Sequence, residues 1–170
     1  MRAYLYGPLS RLGLIAAVIA CAVDQAVKLW LLFSFDLANR GIVHLTPFLD
    51  FVLTWNTGIS YGLFPQESEF GQLVLLVLKT AAVVVLWIWL ARAESKLTAV
   101  ALGLIIGGAI GNAIDRLAYG AVVDFVLFHI TTPTFNFVWY VFNLADVAIV
   151  AGVAGLLYES FFRIGAAKAP

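Results

Sequence analysis

Four long apolar stretches predict a mainly α, polytopic membrane protein: four transmembrane helices plus a small extracytoplasmic β segment. Of 170 residues, 63% are hydrophobic and only 12% are charged, and the mean hydropathy is +0.99. A water-soluble domain has too little interior to hide that much apolar surface, so the solvent is lipid. Against this background two acids stand out. Asp124 lies in Gly-Ala-Val-Val-Asp-Phe, just past one apolar stretch, and Asp146 in Phe-Asn-Leu-Ala-Asp-Val, inside the next. A carboxylate in such a place faces a bundle interior or a wet cavity and marks a candidate functional site. Two of them on consecutive spans suggest a shared carboxylate pair, the apparatus of an aspartic hydrolase.

A bilayer core needs about 20 largely apolar residues per helix. The stretches that qualify run roughly over 12–33, 73–91, 97–114 and 137–158. Between the first two, Ile42-Val43-His44-Leu45 and Phe48 to Trp55 are rich in branched and aromatic residues, with Pro47 between them. They read as short strands on the membrane surface, closed by a turn at Asn56-Thr57-Gly58. Val122, Val123, Phe125, Val126 and Phe128 around Asp124 suggest a further extended piece. No internal repeat or low-complexity linker interrupts the chain, which reads as one membrane-embedded domain over 1–170.

Lys and Arg set the orientation. Arg2 and Arg11 precede the first span, Arg92 and Lys96 join the second to the third, and Arg163 and Lys168 follow the fourth. Both termini are therefore expected in the cytoplasm. The longer segments, 34–72 and roughly 115–136, fall on the outer side. Trp30, Trp55, Trp87, Trp89 and Trp139 all lie near span ends, as interfacial aromatics do. Asp124 then sits at the outer surface. Asp146, nine residues into its span, sits about 13 Å along the helix at 1.5 Å per residue.

The remaining polar residues have plainer readings. Asp24 and Lys28 are spaced i, i+4, share one helix face, and are expected to pair, with Lys28 reaching the outer interface. Lys79, midway along the second span, either pairs with an interior acid such as Asp24 or snorkels; the sequence leaves both open. Gly103, Gly107 and Gly111 recur every four residues and offer a smooth face for close helix packing. Asn112, Asp115 and Arg116 follow at the outer end, the last two as a structural pair tying the outer loop to the bundle. His44 and His129 are expected in outer loops at the interface. Cys21, the single cysteine, reads as a small buried helix residue. One cysteine excludes an internal disulfide framework, and two histidines without a carboxylate cluster argue against zinc. A net charge of +0 with no basic run argues against nucleic acid.

Several segments together carry a resemblance. They are Asp24-Gln25-Ala26-Val27-Lys28, Asn56-Thr57-Gly58-Ile59-Ser60-Tyr61-Gly62, Gly107 to Arg116 continuing through Tyr119-Gly120 to Val122-Val123-Asp124-Phe125, and Phe142-Asn143-Leu144-Ala145-Asp146. With them the chain resembles, over nearly its whole length, the lipoprotein signal peptidase (signal peptidase II) family of bacterial membrane aspartic endopeptidases. The resemblance implies that Asp124 and Asp146 form a catalytic dyad. It gives Asn56, Gly58, Asn112, Asn143, Ala145 and Arg116 supporting or substrate-binding roles, and makes Asp24, Lys28 and Asp115 structural. It also implies a prolipoprotein substrate with a diacylglyceryl-modified Cys, cut on the amino side of that Cys. Further implications are contact with membrane lipid, inhibition by a globomycin-type cyclic peptide, no cofactor or metal, and a bacterial inner-membrane location with the site toward the periplasm. Ser60-Tyr61 stands where the family usually has Ala-Phe.

Two close carboxyls do not both ionise cheaply, so one keeps a proton. The expected chemistry is attack by water, with one carboxylate taking its proton and the protonated partner polarising the scissile carbonyl. Asn112 and Asn143 are candidate hydrogen-bond donors to the acids or the substrate backbone. Two other readings compete. A small proton-coupled transporter would use Asp24, Lys28, Lys79 and Asp146 as a relay, but four spans without repeated halves count against it. Val18-Ile19-Ala20-Cys21 fits a lipobox, yet the apolar run continues past Cys21 to Phe33, unlike a signal peptide.

Overall fold

The computed structural model describes residues 5–58 and 69–166, with side chains at 5–58, 77 and 81–162. Ile59, Ser60, Tyr61 and Gly62 and the side chain of Lys79 lie outside the described residues. Four long helices, α1 (Ser10–Leu29), α2 (Glu69–Ala91), α3 (Lys96–Tyr119) and α4 (Leu144–Ala166), carry most of the chain. Among the described residues, three segments are apolar and long enough to cross a membrane: Ser10–Ser34, Lys96–Tyr119 and Leu144–Phe162. The 23 residues of α2 contain the shorter apolar piece Ala81–Ala91.

Helix α3 is the centre of the bundle. It starts at Ser95, whose side chain accepts from Thr98 N and so satisfies one of the amides a helix start leaves unpaired. It ends at Gly120, whose φ of +75° suits a residue without Cβ and turns the chain into the next strand. Ala99, Leu102 and Ile106 of α3 pack with Ala17 of α1 and Leu90 of α2.

The glycine series lets α1 approach at backbone distance. A Cβ on Gly103 would lie 2.2 Å from the Gly13 carbonyl oxygen, and one on Gly107 2.3 Å from that of Ala17. On another face, a Cβ on Gly108 would lie 2.4 Å from the Ala145 carbonyl oxygen of α4. The helix therefore meets two neighbours through its backbone, gaining dispersion contact where lipid offers no hydrophobic gain. Gly107→Ala is expected to lower stability by about 1–3 kcal/mol, because backbone must move to admit the methyl. Thermal unfolding in detergent reads this, and an unchanged midpoint would contradict it.

The strands form one antiparallel sheet in the order β1 (Val43–Thr46), β2 (Leu49–Asn56), β3 (Val122–Thr131), β4 (Asn136–Val138). Phe51 of β2 and Phe125 of β3 pack with Leu31, Leu37 and Leu144 beneath the sheet. A five-residue π-helical stretch, Trp30–Ser34, and a single helical turn, Leu37–Arg40, lead from α1 to the sheet.

The structure moves several sequence boundaries. The fourth helix begins at Leu144, not near 137, because 136–138 pair with β3 as a strand. Asp146 is consequently in the first turn of α4 rather than about nine residues into a span. The third helix runs on to Tyr119, so Asp115 and Arg116 belong to its last turns rather than to an outer loop. Lys28 does not reach the interface; it is 1% exposed and fully engaged inside. His44 and His129 sit on strands, not loops, and both contact Asp50, at 2.8 and 3.1 Å. Cys21 is half-buried rather than buried.

Candidate functional site

Asp24, Gln25, Lys28, Asn112, Asp115 and Asp146 converge where α1, α3, β3 and the start of α4 meet. Strand β3 enters the molecule at Val122, Val123, Asp124 and Phe125, all buried. Asp124 lies opposite Thr54 of β2. Asn56, at the end of β2, donates from Nδ2 to Asp124 Oδ2 at 3.0 Å, while its Oδ1 accepts from Gly58 N at 3.0 Å. The turn that ends β2 thus also orients the amide that meets Asp124.

Asp146 is placed by helix capping. Asn143 Oδ1 accepts from Asp146 N at 2.9 Å, and Asp146 Oδ2 accepts from Asn143 N at 3.2 Å. This reciprocal arrangement satisfies two otherwise orphan amides at the start of α4. The Asn143 amide then turns to the other acid and donates from Nδ2 to Asp124 Oδ1 at 2.6 Å. Asn112 of α3 completes the circuit. Its Nδ2 donates to Asp146 Oδ1 at 3.0 Å, and its Oδ1 accepts from Asn143 Nδ2 at 3.0 Å. Asp124 and Asp146 are thereby joined through Asn143 and Asn112.

Beneath them lies a fully buried ion cluster. Lys28 Nζ is 2.8 Å from Asp24 Oδ2 and 2.7 Å from Asp115 Oδ2. Both acids also hold backbone: Asp24 Oδ1 accepts from Ala145 N at 2.9 Å, and Asp115 Oδ2 from Val123 N at 3.0 Å. Those amides immediately precede Asp146 and Asp124. Arg116 reaches the end of β2, where its guanidinium donates to the Gly58 carbonyl. Gln25 went unassigned in the sequence. Its Nε2 donates to Asp115 Oδ1 at 2.8 Å and the Gly111 carbonyl at 3.0 Å, and its signal was an amide inside a span, next to an acid.

The two acids open onto a cavity of about 560 Å³. Asn56, Asp124 and Asp146 form its polar end, and Phe142, Val147, Val150, Ala151 and Ala154 its apolar wall. From Asp146 to Ala154 the wall runs about 12 Å along α4 at 1.5 Å per residue. Trp139, expected as an interfacial anchor, also lines it. The site has the chemistry to hold a polar reacting group beside a long apolar one.

Burial raises the Asp124 carboxyl to about 6, reinforced by the nearby Asp146 charge and opposed by hydrogen bonds from Asn56 and Asn143. A group whose folded value lies above its unfolded one stabilises the fold at low pH and loses that contribution as pH rises through the folded value. The loss here falls between about pH 4 and 6. Asp124→Asn is therefore expected to unfold at a higher temperature than wild type above pH 6, with the gap closing below pH 4. Melting curves across that range check it; a pH-independent difference would contradict it.

Fold and site together define a multi-pass membrane protein whose buried carboxylates face an apolar groove. The model for signal peptidase II matches residues 16–162, and the chain belongs to that family of peptidases. It is 64% identical over 160 residues to the lipoprotein signal peptidase of Nitrobacter hamburgensis, covering 94% of this chain and 98% of that protein. With the lipoprotein signal peptidase of Rhodopseudomonas palustris strain TIE-1 the identity is 60%, at the same coverage. Among solved structures, a bacterial membrane enzyme determined by the in meso method at 2.3 Å matches with a TM-score of 0.70. That match is 24% identical and covers 92% of this chain and 91% of the other, a likeness of fold.

Proposed function

We propose that the protein is an aspartic endopeptidase that removes signal peptides from diacylglyceryl-modified prolipoproteins, cutting on the amino side of the lipidated Cys. The observation that carries this reading is the joining of Asp124 and Asp146 through Asn143 and Asn112 at the mouth of an apolar groove. One carboxylate takes a proton from the attacking water, and the other, protonated, polarises the scissile carbonyl. Asn56, Asn112 and Asn143 hold the two acids in place, leaving the groove for apolar parts of the substrate. Gly58 and Arg116 brace the end of β2, and Ala145 supplies the amide that Asp24 holds.

The whole of 1–170 acts as one membrane-embedded peptidase domain in the bacterial inner membrane. Residues at the bundle end away from the site support the orientation: Trp87 Nε1 donates to the Leu5 carbonyl there, and Arg92 and Lys96 follow at the link from α2 to α3. That basic end is cytoplasmic, with both termini, and the site faces the periplasm. A globomycin-type cyclic peptide is expected to occupy the same groove.

The test is purified protein in detergent with one prolipoprotein in diacylglyceryl-modified and unmodified forms. Cleavage of the modified form alone, with product mass starting at the lipidated Cys, supports the reading. Inert protein, or cleavage elsewhere, sinks it.

A further inference from the structure

We propose that Lys28 is a positioning residue for the reaction, acting through Asn112 by locking which end of its amide faces Asp146; this rests on the dyad reading above. The argument is one of counting protons. A lysine ammonium has three N–H protons and no acceptor. Among the described residues, Lys28 Nζ has three acceptors in reach: Asp24 Oδ2 at 2.8 Å, Asp115 Oδ2 at 2.7 Å and Asn112 Oδ1 at 3.2 Å. Two protons serve the ion cluster and the third reaches the site. At 1% exposure, Lys28 is closed off from bulk water.

An asparagine amide turned by 180° exchanges a donor for an acceptor. Asn143 is locked by a backbone group that does not turn, because its Oδ1 accepts from Asp146 N at 2.9 Å. Among the described residues, the Asn112 side chain has no such backbone partner, and its Oδ1 faces Lys28 Nζ and Asn143 Nδ2. The Asn143 amide divides two protons among three acceptors: Asp124 Oδ1 at 2.6 Å, Asn112 Oδ1 at 3.0 Å and the Val123 carbonyl at 3.4 Å. Its hold on Asn112 is shared, whereas that of Lys28 is not. Without the ammonium, Asn112 Oδ1 keeps only the shared Asn143 donor, and the amide is less firmly held against a turn that would present oxygen instead of N–H to Asp146 Oδ1. The acid would then lose a donor at one of its two oxygens.

A double-mutant cycle tests this. Removing Lys28 alone strands two buried acids, so the change is made as the pair Asp24→Asn/Lys28→Met, in wild type and in Asn112→Ala. Where that pair does not fold, Lys28→Gln runs the same cycle. The readouts are kcat and KM on a diacylglyceryl-modified prolipoprotein, on samples that unfold cooperatively. In the wild-type background, kcat is expected to fall about 100-fold with KM within about twofold, as for a misplaced reacting group. In Asn112→Ala the same change is expected to cost almost nothing more in kcat. Equal losses in both backgrounds, a loss confined to KM, or wild-type kcat without Lys28 would overturn the proposal. Asp124→Asn and Asp146→Asn run beside it: activity in those variants would remove the dyad reading itself, whatever the cycle returns.

Discussion

Asp124→Asn and Asp146→Asn are each expected to reduce cleavage by about 10,000-fold or more while leaving the protein folded. The size follows from the proposed roles. Each acid supplies a proton-transfer function in the same step, and one such function alone is worth about 100- to 10,000-fold. Losing either leaves the other without a partner, so the two effects do not add. Asparagine keeps the shape and one acceptor oxygen, so one of the two amides that meet position 124, from Asn56 and Asn143, keeps its acceptor while the other faces an NH2. At 146 the same oxygen still serves the cap of α4. Activity within tenfold of wild type in either variant would end the dyad proposal. The Asp124 variant adds a cross-check: an inactive enzyme that is more heat-stable above pH 6 places the cost of the buried carboxyl in the site.

The largest effect on stability is expected from Asp115→Ala, about 3–5 kcal/mol. Asp115 is wholly buried and accepts from Lys28, Gln25 and the Val123 amide at 2.7 to 3.0 Å. Its removal leaves Lys28 with one carboxylate for a charge that water cannot reach, and it orphans a strand amide. The desolvation of these ions is already spent in the native state, which is why deleting one partner is so much worse than never having had the pair. The pair of His44 with Asp50 is the contrast. His44 is 76% exposed, and His44→Ala is expected to cost less than about 1 kcal/mol. Unfolding of both variants in one detergent compares them directly; similar losses would mean that burial does not govern these pairs.

Much of the fold was legible because lipid imposes simple rules on sequence. A span needs length and apolarity, and both are local properties. The strands around His44 and Asp50 were equally readable from branched and aromatic runs. Boundaries failed where a local signal had two readings. Residues 137–143 are as apolar as a helix interior, yet 136–138 pair with β3, so the hydrophobic run overstated the helix. Asp115 and Arg116 resembled the charged end of a span, although α3 continues past them because partners on other elements accept their polarity.

For the site, the sequence determined which residue types were out of place: acids, amides and a lysine within or beside apolar spans, each carrying a desolvation cost that demands a partner. It also determined the i, i+4 pair of Asp24 with Lys28, because helix geometry alone brings those residues together. Only the tertiary structure decided the rest of the partners. Lys28 meets Asp115 and Asn112 from another helix, Arg116 turns to Gly58, and Asn143 spans from a helix cap to Asp124. Such contacts join residues 19 to 121 positions apart. No local pattern encodes them, because they depend on how closely the glycine faces of α3 let its neighbours approach.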